Sequence, residues 1–152
     1  MKFLITADWH IDSYSDYNYY PNSRLDQFTK LAERIVEIGR EQRCEVLVLA
    51  GDFINRPVLR PYLQHKVKEV IEILESGFEK IYYILGQHST DSKSDDLSEH
   101  DTVLTLFESD KFMYMNHKVL DFNGYRIGFQ NWTHSQDTSW IEDKVDVLIG
   151  HY

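Results

Sequence analysis

The chain has 152 residues, 42% of them hydrophobic, enough for one domain with a real core and too short for two comfortable ones. Sixteen basic residues stand against twenty-five acidic ones, a formal charge of -9, which argues against a polycationic protein that grips nucleic acid through phosphate neutralisation alone. Cys44 is the sole cysteine, so no intrachain disulfide can form and a buried thiol in a reducing cytoplasm is expected; no apolar stretch suits a signal peptide or a membrane span.

Residues 2–6 open the chain as a short apolar run, and runs at 45–50, 80–85 and 145–149 share that character. This is the pattern of strands buried on both faces of a parallel sheet. Between the first two runs, Leu25, Phe28, Leu31, Ile35 and Ile38 recur at helical spacing behind Asn22 or Ser23 as N-cap. Between the next two, Val67, Val70, Ile71 and Leu74 repeat the pattern, so the order reads β-α-β-α-β. A third helix is expected over 97–107, with Ser98 and Asp101 spaced as a capping pair. Residues 112–115, 118–122 and 125–130 then read as short strands of a second sheet with antiparallel pairing. The last two are joined by Asn123-Gly124, residue types that favour the positive φ of a type I′ hairpin turn. Residues 12–22 form a distinctive loop carrying Tyr14, Tyr17, Tyr19 and Tyr20, for which packing is expected ahead of base stacking. The expected fold class is α/β.

Each of the four apolar runs ends at a polar motif: Asp8-Trp9-His10, Gly51-Asp52, Gly86-Gln87-His88 and Gly150-His151. Singly, each motif reads as an ordinary strand-end turn. Jointly they gather carboxylate, imidazole and amide donors onto one sheet edge, a donor set that suits two hard or borderline divalent cations. Asp8 and His10, one residue apart, share a side if the backbone stays extended, so both can chelate one ion. Asp52 can bridge two ions roughly 3.5–4 Å apart, with Gly51 permitting close backbone approach.

Taken together, these motifs resemble the calcineurin-like metallophosphoesterases, whose pattern is Asp-x-His, Gly-Asp, Gly-Asn-His-Asp, Gly-His and Gly-His-x-His. The opening Phe3-Leu4-Ile5-Thr6-Ala7-Asp8-Trp9-His10 and the run Leu49-Ala50-Gly51-Asp52-Phe53-Ile54 are similar to the SbcD-type DNA-repair and recombination nucleases, phage versions included. The resemblance implies a layered α-β-β-α sandwich whose first sheet is mostly complete and whose second sheet is partial. It implies two divalent cations, Mn2+ foremost with Mg2+ or Fe2+ as alternatives. Asp8 and His10 would hold the first ion, Asp52 would bridge, Gln87 and His151 would hold the second, and His88 would contact or protonate the scissile phosphate. The implied substrate is DNA ends. Implied partners are an SbcC-type coiled-coil ATPase and a second copy or a complementing C-terminal chain, in the cytoplasm, or in that of a host if a phage encodes the protein.

The chain departs from the family pattern at two places. Gln87 and Ser89 stand where the family has Asn and Asp, which lengthens one ligand and removes a carboxylate expected to support its neighbour. The closing Gly-His-x-His is not among the 152 residues, so a single metallophosphoesterase domain, incomplete at its C-terminus and weakly active alone, is expected. Two other readings stay open: a phosphoesterase acting on nucleotides or phosphoproteins, and a catalytically silent binding module. His65, His100, His117 and His134 lack motif context and are expected to be ordinary surface or loop histidines.

Overall fold

The computed structural model describes residues 2–13, 23–90, 102–141 and 144–152. Among the described residues, seven strands and two long helices run in the order β1 (Phe3–Thr6), α1 (Ser23–Gln42), β2 (Val46–Ala50), α2 (Pro61–Glu75), β3 (Lys80–Ile84), β4 (Phe112–Tyr114), β5 (Lys118–Phe122), β6 (Tyr125–Gln130) and β7 (Val147–Gly150); a 3-10 helix, Val103–Phe107, precedes β4. The tyrosine loop from Tyr14 to Asn22, with the candidate cap Asn22, lies outside the described residues, as do Ser98, His100 and Asp101. No described helix is long and apolar enough to cross a membrane.

Strands β1, β2, β3 and β4 lie side by side in that order, all parallel. Period-two alternation splits their side chains between two cores. Leu47, Leu49, Ile81, Tyr83 and Leu85 point to the helix side, where they meet Phe28, Val67, Val70 and Leu74. Val46, Val48, Ala50, Tyr82 and Ile84 point the other way, onto Ile127, Phe129 and Ile149 of the second sheet. Burying each such aliphatic or aromatic side chain contributes about 1.5–3 kcal/mol, so β2 and β3 are fixed from both faces. Helix α2 begins at Pro61, whose missing N–H is no loss at the first helical position, and it buries Leu63, Val67, Val70, Ile71 and Leu74.

Four sequence expectations are corrected. In α1 the buried face runs through Leu25, Phe28, Ala32 and Val36, while Leu31 is exposed. Small residues carry the close approach here: a Cβ on Gly39 would press on the Phe78 ring, and one on Gly77 would press on Val36. The expected third helix appears in the described residues as the 3-10 turn Val103–Phe107, capped by the Thr102 side chain accepting from the Leu104 N–H. Residues 112–114 join the first sheet as β4, parallel to β3, because Phe112 packs into the helix-side core and Met113 against the inter-sheet core. The run expected at 145–149 belongs to the second sheet instead: β7 pairs parallel with β6, and β5 pairs antiparallel with β6. Val147 is 47% exposed, which marks an edge strand covered on one face rather than a buried central one. The hairpin turn keeps its expected form, with Asn123 and Gly124 at φ 56° and 85°.

The result is a mixed α/β fold of helices, parallel sheet and second sheet in layers. Among the described residues the outer side of the second sheet is met by Trp140, close to Gly128 and stacked on His117 at 4.9 Å, rather than by a helix.

Candidate metal centre

Strands β1 and β2 do not separate where their regular pairing ends. The Asp8 N–H donates to Gly51 O (3.1 Å), the His10 N–H to Asp52 O (2.9 Å) and the Ile11 N–H to Phe53 O (3.0 Å), and Ile11 then bridges Ile54 in parallel. The first two motifs are therefore laced together through their backbones. Trp9, 6% exposed, anchors the lacing: its indole N–H donates to Thr6 Oγ1 at 3.0 Å and its ring lies 5.3 Å from that of Phe53.

The backbone there is not extended. Asp8, His10 and Asp52 have φ of 58°, 48° and 47°, so strand alternation is not what places Asp8 and His10 on one side. They converge because each is turned into the left-handed region, a conformation that costs of order 1–3 kcal/mol per residue and persists where the surroundings over-determine it. His10 Nε2 ends 3.7 Å from Asp8 Oδ1 and 4.0 Å from Asp52 Oδ2.

Asp52 is the centre of the cluster and is fully buried. Its Oδ1 accepts from the His88 backbone N–H at 2.9 Å, tying the third motif to the second. Among the described residues its Oδ2 accepts no well-formed hydrogen bond; the nearest group able to give one is His151 Nε2, 3.4 Å away, when that ring is protonated. Two glycines make room: a Cβ on Gly86 would collide with the Asp52 carboxylate, and one on Gly51, itself at φ 99°, with the His151 ring.

Both imidazoles next to Asp52 are held by their other nitrogen. His151 Nδ1 lies 2.9 Å from the Ala50 carbonyl, which can only accept, so Nδ1 carries hydrogen and the neutral ring turns a lone pair on Nε2 toward Asp52. His10 Nδ1 lies 3.1 Å from Asn55 Oδ1. Asn55 in turn donates to Asp12 Oδ2 at 3.0 Å, and Arg56 Nε donates to the same oxygen at 2.8 Å. Sequence patterning does not single out Asp12 or Asn55; their only signal is polarity beside apolar neighbours, Asp12 after Ile11 and Asn55 after Ile54. Ser89 is also buried, its hydroxyl donating to Ile54 O at 3.0 Å, so it closes the third-motif loop onto the second.

Charge is set by this packing. Burial pushes the Asp52 carboxyl up, yet the His151 ring and the His88 N–H and ring outweigh it, and the net position is below the ordinary carboxylate range. The Asp52 carboxylate holds the His151 ring above the ordinary imidazole range, against the effect of burial.

The carboxylates and imidazoles expected at the site converge in two sets of ligand atoms mutually within 4.8 Å: His10, Asp52 and His88, and Asp8, Asp52 and His151. Asp52 belongs to both sets. His10 stands with His88 in one set and Asp8 with His151 in the other, while Asp8 and His10 also approach each other to 3.7 Å. Gln87 lies on the same loop with its side chain exposed. The fit to a pair of cations rests on Asp52 Oδ2: a buried anionic oxygen faced by the Nε2 atoms of His10 and His151, whose Nδ1 hydrogens are engaged elsewhere, calls for positive charge, supplied by a proton on His151 or by a cation in its place.

The chain belongs to the calcineurin-like phosphoesterases, whose family model matches residues 1–152, and that family is dinuclear metal-dependent. No curated protein matches the chain. Among solved structures, a nuclease, MPE, of Pseudomonas putida is similar at 18% identity and a TM-score of 0.45, over 86% of this chain and 54% of that one. The chain thus spans about half the length of that structure, and at this level the likeness carries no functional argument.

Proposed function

We propose that the chain is the catalytic part of an SbcD-type nuclease that hydrolyses phosphodiesters at DNA ends, as an exonuclease or end-processing endonuclease, with two Mn2+ ions. The observation that carries the reading is the sharing of Asp52 by both ligand sets. The substrate class rests on the similarity of Phe3 to His10 and of Leu49 to Ile54 to that branch. A pocket of about 410 Å3 whose walls include Asp12, Arg56, Arg60 and Tyr62 adjoins the Asp12–Asn55–His10 chain and is in keeping with a polyanionic substrate.

Asp8, His10, Asp52, Gln87 and His151 would hold the ions, with Asp52 bridging. Bound there, the ions supply Lewis acidity toward the phosphate and lower the pKa of water. The chain's own groups do the rest. His88, exposed beside His10 with ring centroids 5.0 Å apart, is placed to donate a hydrogen bond to a phosphoryl oxygen or a proton to the leaving oxygen. The Asp12–Asn55 pair fixes the His10 ring, and Ala50 O fixes that of His151. An SbcC-type ATPase, a second copy, or a C-terminal chain carrying Gly-His-x-His would complete the assembly.

The test compares linear and covalently closed duplex DNA with Mn2+, using this chain alone and then with a fragment that carries Gly-His-x-His. Weak digestion of linear DNA by the chain alone, raised at least tenfold by the fragment and abolished by His88→Ala, is expected, the factor reflecting the loss of metal support. Equal cleavage of linear and closed DNA, or turnover confined to nucleotides or phosphoproteins, would contradict the DNA-end reading.

A further inference from the structure

The third motif is held from a direction the catalytic motifs do not account for. Asn131 comes directly after β6, is 1% exposed and uses its side chain across the two sheets. Its Oδ1 accepts from the Leu85 N–H at 2.8 Å, its Nδ2 donates to the Tyr114 hydroxyl at 2.5 Å, and its backbone N–H donates to Asn116 Oδ1 at 3.1 Å. The next N–H, of Trp132, donates to Leu85 O at 2.8 Å. Both backbone groups of Leu85 are therefore satisfied by two consecutive residues of the second sheet's exit loop, at the end of β3 where Gly86 starts.

The loop beyond Leu85 has little freedom of its own. Gly86 lies against the Asp52 carboxylate, and the His88 N–H reaches Asp52 Oδ1. The clamp on Leu85 thus sets where the loop enters, and Asp52 and Ser89 set where it ends. We infer that Asn131 is a positioning residue for the third motif: by bonding Leu85 to β6 and β4, it registers the second sheet against the metal centre and fixes His88 relative to Asp52. This role rests on the reading of the cluster as a dinuclear centre. Loss of such outer support typically costs a metal site about 10–100-fold in affinity, and an unpaired buried N–H at Leu85 would add to the effect.

Amide hydrogen exchange on the metal-free protein, followed by Mn2+ titration, tests the inference on Asn131→Ala and Asn131→Asp. In Asn131→Ala the Leu85 and His88 amides are expected to lose protection about tenfold or more while Val48 in β2 keeps its own, and the weaker Mn2+ dissociation constant rises about tenfold. Asn131→Asp is expected to restore both, because a carboxylate still accepts from Leu85 and can take a hydrogen bond from the Tyr114 hydroxyl. Unchanged His88 protection in Asn131→Ala, or a loss spread equally to Val48, overturns the inference. If the wild-type chain takes up no Mn2+, the dinuclear reading fails, while the exchange pattern still decides whether Asn131 positions the loop.

Discussion

At Asp52 and His151 two protonation equilibria are displaced in opposite directions by the same contact. A carboxyl held below its ordinary range stabilises the fold above its unfolded pKa, and that contribution disappears as pH falls through the folded value. An imidazole held above its ordinary range stabilises the fold below its unfolded pKa, and that contribution disappears as pH rises through the folded value. The metal-free protein should therefore be more stable than His151→Gln at about pH 6, with the advantage shrinking toward about pH 9. A cation competes with the same proton, so Mn2+ affinity should rise with pH and binding should release protons. Calorimetry in buffers of different ionisation heat reads the release; a pH-independent affinity would show that His151 is not a ligand. The convergence of Asp8, His10, Asp52, His88 and His151 was legible because each follows closely on an apolar run; that the last of these runs lies in the second sheet was not. The left-handed backbone at Asp8, His10 and Asp52 was not, since no residue type there announces it as a glycine would.

At the scale of elements, existence was easier to read than partnership. A run such as 112–115 shows that a strand forms, but whether it joins β3 or a hairpin depends on which core receives Phe112, and that is a tertiary choice. Likewise 145–149 is apolar enough for a central strand, and only its pairing with β6 reveals that Val147 faces outward. The loop joining β2 to α2 carries the other support that sequence missed. Asn55→Ala would free the His10 ring to rotate and leave Asp12 with one donor fewer, so Mn2+ affinity should fall about 10–100-fold with little change in unfolding midpoint. If affinity holds while stability drops, Asn55 is a packing residue and the His10 tautomer is set by something else.

For the whole molecule, the functional edge depends on both sheets. The first brings Asp8, His10, Asp52 and His88 just beyond the ends of its parallel strands, whereas the second delivers His151 directly after β7 and steadies Leu85 through Asn131. A centre assembled across two layers is expected to respond as a unit when its shared ligand is changed. Mn2+ titration of wild type and Asp52→Asn by calorimetry tests this most directly. Two ions per chain are expected in wild type, and both should be weakened at least about tenfold in the variant, because one carboxylate serves both positions. Two ions bound with only one affected by Asp52→Asn, or neither, would contradict a bridging Asp52 and with it the dinuclear centre.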